Sequence, residues 1–228
     1  LSVKKLPVKF KTVDGYFDIS NNGLTSLDGC PKTLTGDFNC SRNSLISLFE
    51  GPTEVNDFDC SYNQLKNLSY APKEVKGNFD CSNNLIDSVK GMPRTVKGYF
   101  NCSINKIATL KGGPKYVDAT FDCSQNLIDR LTGGPVSVGQ DYLCFKNNLT
   151  DLDGVADEIG FDLVSDIRLN HLSSTFNEEE KTWRYKGSEV ISHIYKPIVA
   201  LTNVDDISRW LRKHEIKNFT ILKDNSVN

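Results

Sequence analysis

Phe38-Asn39-Cys40-Ser41-Arg42-Asn43-Ser44-Leu45-Ile46-Ser47-Leu48 is one line of a text that this chain writes seven times. Phe100-Asn101-Cys102-Ser103-Ile104-Asn105-Lys106-Ile107-Ala108-Thr109-Leu110 is another copy. The aromatic that opens each copy falls at Phe17, Phe38, Phe58, Phe79, Phe100, Phe121 and Tyr142, in steps of 20 or 21 residues. A fixed period of that length is the mark of a solenoid, because one short unit cannot bury its apolar face alone and must stack on its neighbours.

Within a unit the aromatic and the cysteine are two residues apart, so in a strand both point to the same side. The aromatics are therefore expected to stack as a spine with the cysteines beside them. The fixed asparagines (Asn22, Asn43, Asn63, Asn84, Asn105, Asn126, Asn147) come three residues after the cysteine position, where the strand must turn. A carboxamide both donates and accepts there, which predicts a structural ladder. Apolar pairs such as Leu45 with Leu48 turn back into the core. Prolines 31, 52, 72, 93, 114 and 135, each followed three residues later by Leu or Val, exclude a regular helix. They suit an outer loop, so the back of each coil is expected to be extended or irregular.

Six of the seven cysteines (Cys40, Cys60, Cys81, Cys102, Cys123, Cys144) share one repeat position, and Ile19 fills it in the first unit. A position that accepts Ile asks for a small buried apolar group, which free cysteine supplies. Stacked strands would set these thiols in a row about 4.8 Å apart, not in a tetrahedron, so no metal site is expected. The odd count and the lack of Cys-x-x-Cys pairs point to a reducing cytoplasm.

The unit resembles that of leucine-rich repeats, with Phe-x-Cys-Ser-x-Asn-x-Leu standing where the general Leu-x-Leu-x-x-Asn-x-Leu stands. It is most similar to the Cys-Ser-x-Asn variety in leucine-rich-repeat proteins of tailed bacteriophages and some bacteria. The opening Leu6-Pro7-Val8-Lys9-Phe10-Lys11-Thr12-Val13-Asp14-Gly15 is similar to the first unit of such phage arrays. The resemblance covers roughly residues 1–160. It implies a repeat solenoid with a parallel β-sheet on the concave face and a thin, irregular or extended convex side. It implies nothing about activity, since the family is defined by shape.

The organisation read from the sequence is an opening segment 1–14, seven repeats over 15–160, and a C-terminal α+β cap over 161–228. Phe161-Asp162-Leu163 reads as a last capping strand, the chain turns irregular from Asn170 to Glu180, and Thr182-Trp183-Arg184-Tyr185 reads as a strand. An apolar run spans Ile191 to Leu201. Asp205 or Asp206 caps a short amphipathic helix, Ile207 to His214, and a strand follows at Phe219 to Leu222. The stretch Ile207 to Asp224 resembles the helix-plus-strand segment that usually precedes the first repeat in phage arrays. Here it follows the last one, either as a distal cap or as the start of a second array. The sequence opens on Leu1 rather than Met, which implies a processed product or a piece of a longer chain.

The residues beside the inward aromatics face out from the sheet. Between aromatic and cysteine stand Asp18, Asn39, Asp59, Asp80, Asn101, Asp122 and Leu143. Before the aromatic stand Tyr16, Asp37, Asp57, Asn78, Tyr99, Thr120 and Asp141. This acidic face repels phosphate, so nucleic acid is not expected on it, and it favours a basic protein segment. The same side chains would also serve as a hydrogen-bonded ladder with no ligand. Lysines 32, 73, 76, 90, 97, 111 and 115 fall in the proline-containing loops, so the coil is expected to be negative in front and positive behind. In the last unit Leu143 and Phe145 replace Asp and Ser. These apolar residues are either covered by the C-terminal region or a contact patch.

Net charge is −2, and no run approaches the ~18 apolar residues of a membrane span. No secretory leader opens the sequence. His171, His193 and His214 show no spacing that pairs a base with a nucleophile, and no phosphate loop, His-Glu-x-x-His or nucleophile elbow is present. The expectation is a non-catalytic, cofactor-free scaffold that binds a protein partner through Asp18, Asp37, Asp57, Asp59, Asp80, Tyr99, Asp122 and Asp141, or through Leu143 and Phe145. The partner would be a host factor met in the host cytoplasm if the chain is phage-encoded. The alternative is a virion-associated structural component that self-associates end to end.

Overall fold

The computed structural model describes residues 4–167, 174–179 and 181–187. Every element there is a β-strand, and each coil contributes a back strand and a front strand. The pairs are β1 (Thr12–Val13) and β2 (Phe17–Asp18), β3 (Thr33–Leu34) and β4 (Phe38–Asn39), β5 (Glu54–Val55) and β6 (Phe58–Asp59), and β7 (Glu74–Val75) and β8 (Phe79–Asp80). They continue as β9 (Thr95–Val96) and β10 (Phe100–Asn101), β11 (Tyr116–Val117) and β12 (Phe121–Asp122), β13 (Ser137–Val138) and β14 (Tyr142–Leu143), and β15 (Glu158–Ile159) and β16 (Asp162–Ser165). A hairpin of β17 (Ser174–Asn177) and β18 (Thr182–Lys186) follows.

The odd strands β1 to β15 form an eight-stranded parallel sheet at the back; the even strands β2 to β16 form the parallel part of a ten-stranded front sheet. The chain is thus a two-sheeted β-solenoid. The back was expected to be extended or irregular; it is extended, and its strands also pair in register, Tyr116 on Ser137 and Val117 on Val138 for example. The reason is the Val three residues after each proline, which is buried in coil after coil and holds its strand against the core. The prolines, expected in an outer loop, are themselves buried, and the residue after each is the one that meets solvent in most coils.

Register places like on like. Phe38 pairs with Phe58, Phe58 with Phe79, Phe79 with Phe100 and Phe100 with Phe121. Their rings stack at centroid distances of 5.2 to 5.8 Å, within the range where aromatic pairs attract. From Phe38 to Tyr142 the rings are buried, each contributing about 1.5–3 kcal/mol of apolar burial. The cysteines lie beside them, all free and buried. Cys81 and Cys123 donate Sγ–H to the carbonyls of Asn101 and Leu143 in the next coil, at 3.4 Å each.

The asparagine ladder joins each successive pair of the seven coils that carry it. Asn84 Nδ2 donates to its own Cys81 and Ser82 carbonyls at 3.1 Å and to the preceding coil's Cys60 carbonyl at 3.0 Å. Its Oδ1 accepts the Leu65 N–H at 3.0 Å. The residue before each of these asparagines (Asn21, Arg42, Tyr62, Asn83, Ile104, Gln125, Lys146) is left-handed, with φ between 52° and 55°. That bend aims the carboxamide into the coil.

At the C-terminal end the front sheet changes direction. β18 pairs antiparallel with β16, setting Tyr185 on Leu163 at the end of the aromatic column, and β17 pairs antiparallel with β18. Tyr185 is buried and its hydroxyl donates to the Ile167 carbonyl at 3.0 Å. The strand expected at residues 182–185 is therefore present. The stretch expected to be irregular contains β17, whose single apolar residue, Phe176, gives no alternation to read and packs on Trp183 of the strand it pairs with. The apolar run from Ile191, the helix from Ile207, the strand from Phe219, and His171, His193 and His214 lie outside the described residues.

Candidate functional site

Two rows of side chains line the front sheet on either side of the aromatic column, and most of these side chains already give one oxygen to a backbone N–H. In the row after the aromatic, Asp18, Asp59, Asp80 and Asp122 each accept the N–H of the serine two residues on, at 2.8 to 2.9 Å. Asn39 and Asn101 do the same at 3.0 Å. The short Asp or Asn side chain reaches back to the backbone where the strand ends, which is why either type serves. Asp80 also accepts from Asn101 Nδ2 at 3.1 Å. Burial pushes the Asp80 and Asp122 carboxyls above the usual carboxylate range, against the lowering effect of hydrogen bonds from Ser82 and Ser124.

In the row before the aromatic, Asp37 accepts the Asp57 N–H at 3.1 Å and Asn56 Nδ2 at 2.9 Å. Asp57 accepts the Asn78 N–H at 2.8 Å, and Asn78 accepts the Tyr99 N–H at 3.0 Å. Asp141 accepts the Asp162 N–H at 3.0 Å. Arg184, carried in by β18, places Nη1 at 3.1 Å from Asp162 and 3.7 Å from Asp141. The acidic stripe thus already holds one guanidinium at its C-terminal end.

Between these stretches the face opens into a groove of about 420 Å³. Tyr99 and Asn78 stand on one side, Gln140 and Leu143 on the other, with Asn101, Ala119, Thr120 and Asp122 between them. Thr120 sits in the groove between Tyr99 and Gln140, beside the Tyr99 ring of the coil before. Tyr99 is about two-fifths exposed, and its phenol is pushed up to about 12 by partial burial and by Asp80, Asp59 and Asp57.

The sequence-derived candidates therefore divide. Tyr99, Asp122 and Leu143 meet at the groove, with Asp80 one coil away. Asp37, Asp57 and Asp141 are rungs of a backbone ladder, and Asp18 lies at the far end of the sheet. Leu143 and Phe145 are half-buried, and Lys146 Nζ lies 5.9 Å from the Phe145 ring. Sequence reasoning missed Arg184, whose approach depends on an antiparallel register, and it missed Thr120 and Gln140. Their signal was visible as a short side chain and a lone Gln in an acidic, Gly-rich pair of columns.

No group of three or more His, Cys, Asp or Glu side chains converges as a metal site among the described residues. Burial raises the Cys40, Cys60, Cys81, Cys102 and Cys123 thiols well above their ordinary value, and those of Cys30 and Cys144 to about 12. Thiols held protonated in a core are poor nucleophiles. No helix among the described residues is long and apolar enough to cross a membrane. Compared with protein-family models, curated proteins and solved structures, the chain matches none.

Proposed function

We propose that this chain is a non-catalytic protein–protein interaction scaffold that engages a basic partner through its front sheet. The observation that carries the reading is the groove at Tyr99, Asp122 and Leu143, set in a face where Asp57, Asp59, Asp80 and Asp141 project and the only described cation paired to the rows is Arg184. Carboxylates on a rigid sheet attract and orient a cationic segment, mostly by speeding association and fixing register. The buried, protonated thiols and the engagement of most carboxylates by backbone N–H groups support a binding role over chemistry. The Phe-x-Cys-Ser-x-Asn-x-Leu unit supports a place among the leucine-rich-repeat proteins of tailed phages, and hence a host protein as partner in the host cytoplasm.

The test is the triple variant Asp59→Asn, Asp80→Asn, Asp122→Asn. Asn already fills this position as Asn39 and Asn101 and keeps the cap on the serine N–H, so the fold is preserved. A partner captured by the parent chain, identified, and rebound as the purified protein should bind the variant at least tenfold more weakly. Equal affinity would exclude the front sheet.

A second reading, end-to-end assembly in a virion, is favoured by β2, beyond which no strand pairs among the described residues. Sedimentation over a wide concentration range decides it: growth with concentration supports assembly, and a constant monomer excludes it.

A further inference from the structure

The row before the aromatics obeys a rule, which breaks at Tyr16 in the first coil and once more in the interior of the array. Where that position holds Asp or Asn, its side-chain oxygen accepts the N–H of the same position in the next coil. Asp37 serves Asp57, Asp57 serves Asn78, Asn78 serves Tyr99 and Asp141 serves Asp162, all at 2.8 to 3.1 Å. Tyr99 and Thr120 then occupy two successive coils, and neither sets an oxygen on the next N–H. Thr120 instead directs its hydroxyl toward Gln140 Oε1, at 3.4 Å. The backbone N–H groups of Thr120 and Asp141 consequently meet no acceptor among the described residues.

These two donors belong to adjacent coils, about 4.8 Å apart. The interruption coincides with the groove, which Tyr99, Thr120 and Gln140 line. The intact rungs show what the donors take: a carboxylate or carboxamide oxygen. The surroundings choose between the two. Asp57, Asp59, Asp80, Asp122 and Asp141 would repel an incoming carboxylate and leave a neutral carbonyl unaffected. The same carboxylates favour a cation beside it, and Arg184 between Asp141 and Asp162 shows such a pairing on this face.

We propose that the groove over Thr120 binds an extended segment of a partner protein, a neutral carbonyl on the open N–H groups of Thr120 and Asp141 and an arginine against Asp80 and Asp122. This rests on the reading of the front sheet as the binding face and names the chemistry of its ligand. Asparagine and arginine two residues apart in an extended peptide point to the same side, so one short peptide presents both.

The probe is acetyl-Gly-Asn-Gly-Arg-Gly-amide, titrated into the isotopically labelled full chain to about 10 mM, enough to see a Kd of about 1 mM. The amide resonances of Thr120 and Asp141 should move saturably. The peptide with Glu in place of Arg should bind at least tenfold more weakly. Tyr99→Asn supplies the missing rung as Asn78 does one coil earlier; it should keep the fold and bind the probe at least tenfold more weakly, whereas Tyr99→Phe should bind like the parent. Saturable shifts elsewhere on the front sheet without Thr120 and Asp141, equal binding of the Glu peptide, undiminished binding by Tyr99→Asn, or no saturable shift at all would each overturn the proposal. The wider front-sheet reading falls separately, on the natural partner and the triple Asn variant.

Discussion

Asn63 Oδ1 accepts the backbone N–H of Leu45 at 2.9 Å, across 18 residues of sequence and one step of the coil. The same carboxamide donates to the carbonyls of Cys40, Cys60 and Ser61. One side chain therefore fixes the bend of its own coil and the spacing to the coil before. Replacement of a fully enclosed member of this ladder should cost far more than replacement of its exposed first member. Asn84→Ala strands buried donors and acceptors and should lower stability by about 2–4 kcal/mol. Asn22 bonds only within its own coil, to Ile19 and Ser20, and Asn22→Ala should cost about 1 kcal/mol or less. Urea unfolding of both variants measures the contrast, and similar losses would argue against the ladder as the link between coils.

Tyr142 carries the one buried side-chain polar atom without a hydrogen-bond partner among the described residues. The Cys123 thiol, which acts on this hydroxyl, gives its own proton to the Leu143 carbonyl. Every other aromatic of the column is Phe. Tyr142→Phe should therefore stabilise the chain by about 1 kcal/mol, since the hydroxyl is desolvated with nothing gained in return. A higher denaturation midpoint with an unchanged slope is the expected result; a loss of stability would mean that the hydroxyl has a partner after all.

Ile104 holds a left-handed backbone at φ 54°, a conformation that L residues adopt at a cost of about 1–2 kcal/mol and β-branched residues least readily. Asn21 and Asn83 hold the same position without branching. Ile104→Asn should raise stability by about 1 kcal/mol despite the loss of an apolar side chain, because that side chain is two-fifths exposed. Thermal melts of the two proteins under identical conditions give the answer.

The carboxylates of Asp59 and Asp80 sit directly across adjacent strands. Asp80 is pushed up first by burial and also by the Asp59 charge, against the lowering effect of hydrogen bonds from Ser82 and Asn101. A carboxyl whose folded pKa is raised gives its full stability below the unfolded value of about 3.9 and loses it as pH rises through the folded value. Asp59→Asn keeps the cap on the Ser61 N–H and removes the charge facing Asp80, and should accordingly stabilise the chain at pH 7 by about 0.2–1 kcal/mol, the usual cost of like charges facing across a ladder. The gain should fade as pH falls through the raised Asp80 value and be gone below about 4. Urea midpoints at pH 7 and pH 3 test the sign, and a gain that persists at pH 3 would refute the electrostatic cause.

The repeat, its inward aromatics and cysteines, and the turning asparagines are legible in the sequence because one residue type recurs at each position and burial demands it. The left-handed row is not legible. Arg42, Tyr62, Gln125 and Lys146 carry no glycine signature, and the strain they accept is imposed by the Asn that follows. The candidate site is half legible. Its acidic rows can be written down from the register, but the groove depends on how side chains of several coils, from Asn78 to Leu143, stand around Thr120, which no single repeat position announces. Arg184 reaches that stripe only through the antiparallel pairing of β18 with β16, which no period in the sequence announces.

The central claim is that one row of side chains serves as a backbone ladder in most coils and is open to a ligand where it breaks. Amide hydrogen exchange read residue by residue on the unliganded chain tests it most directly. The N–H groups of Asp57, Asn78, Tyr99 and Asp162, each bonded to the coil before, should exchange at least about tenfold more slowly than those of Thr120 and Asp141, the factor that one hydrogen bond of about 1.4 kcal/mol supplies. Thr120 and Asp141 as protected as Tyr99 would contradict the account.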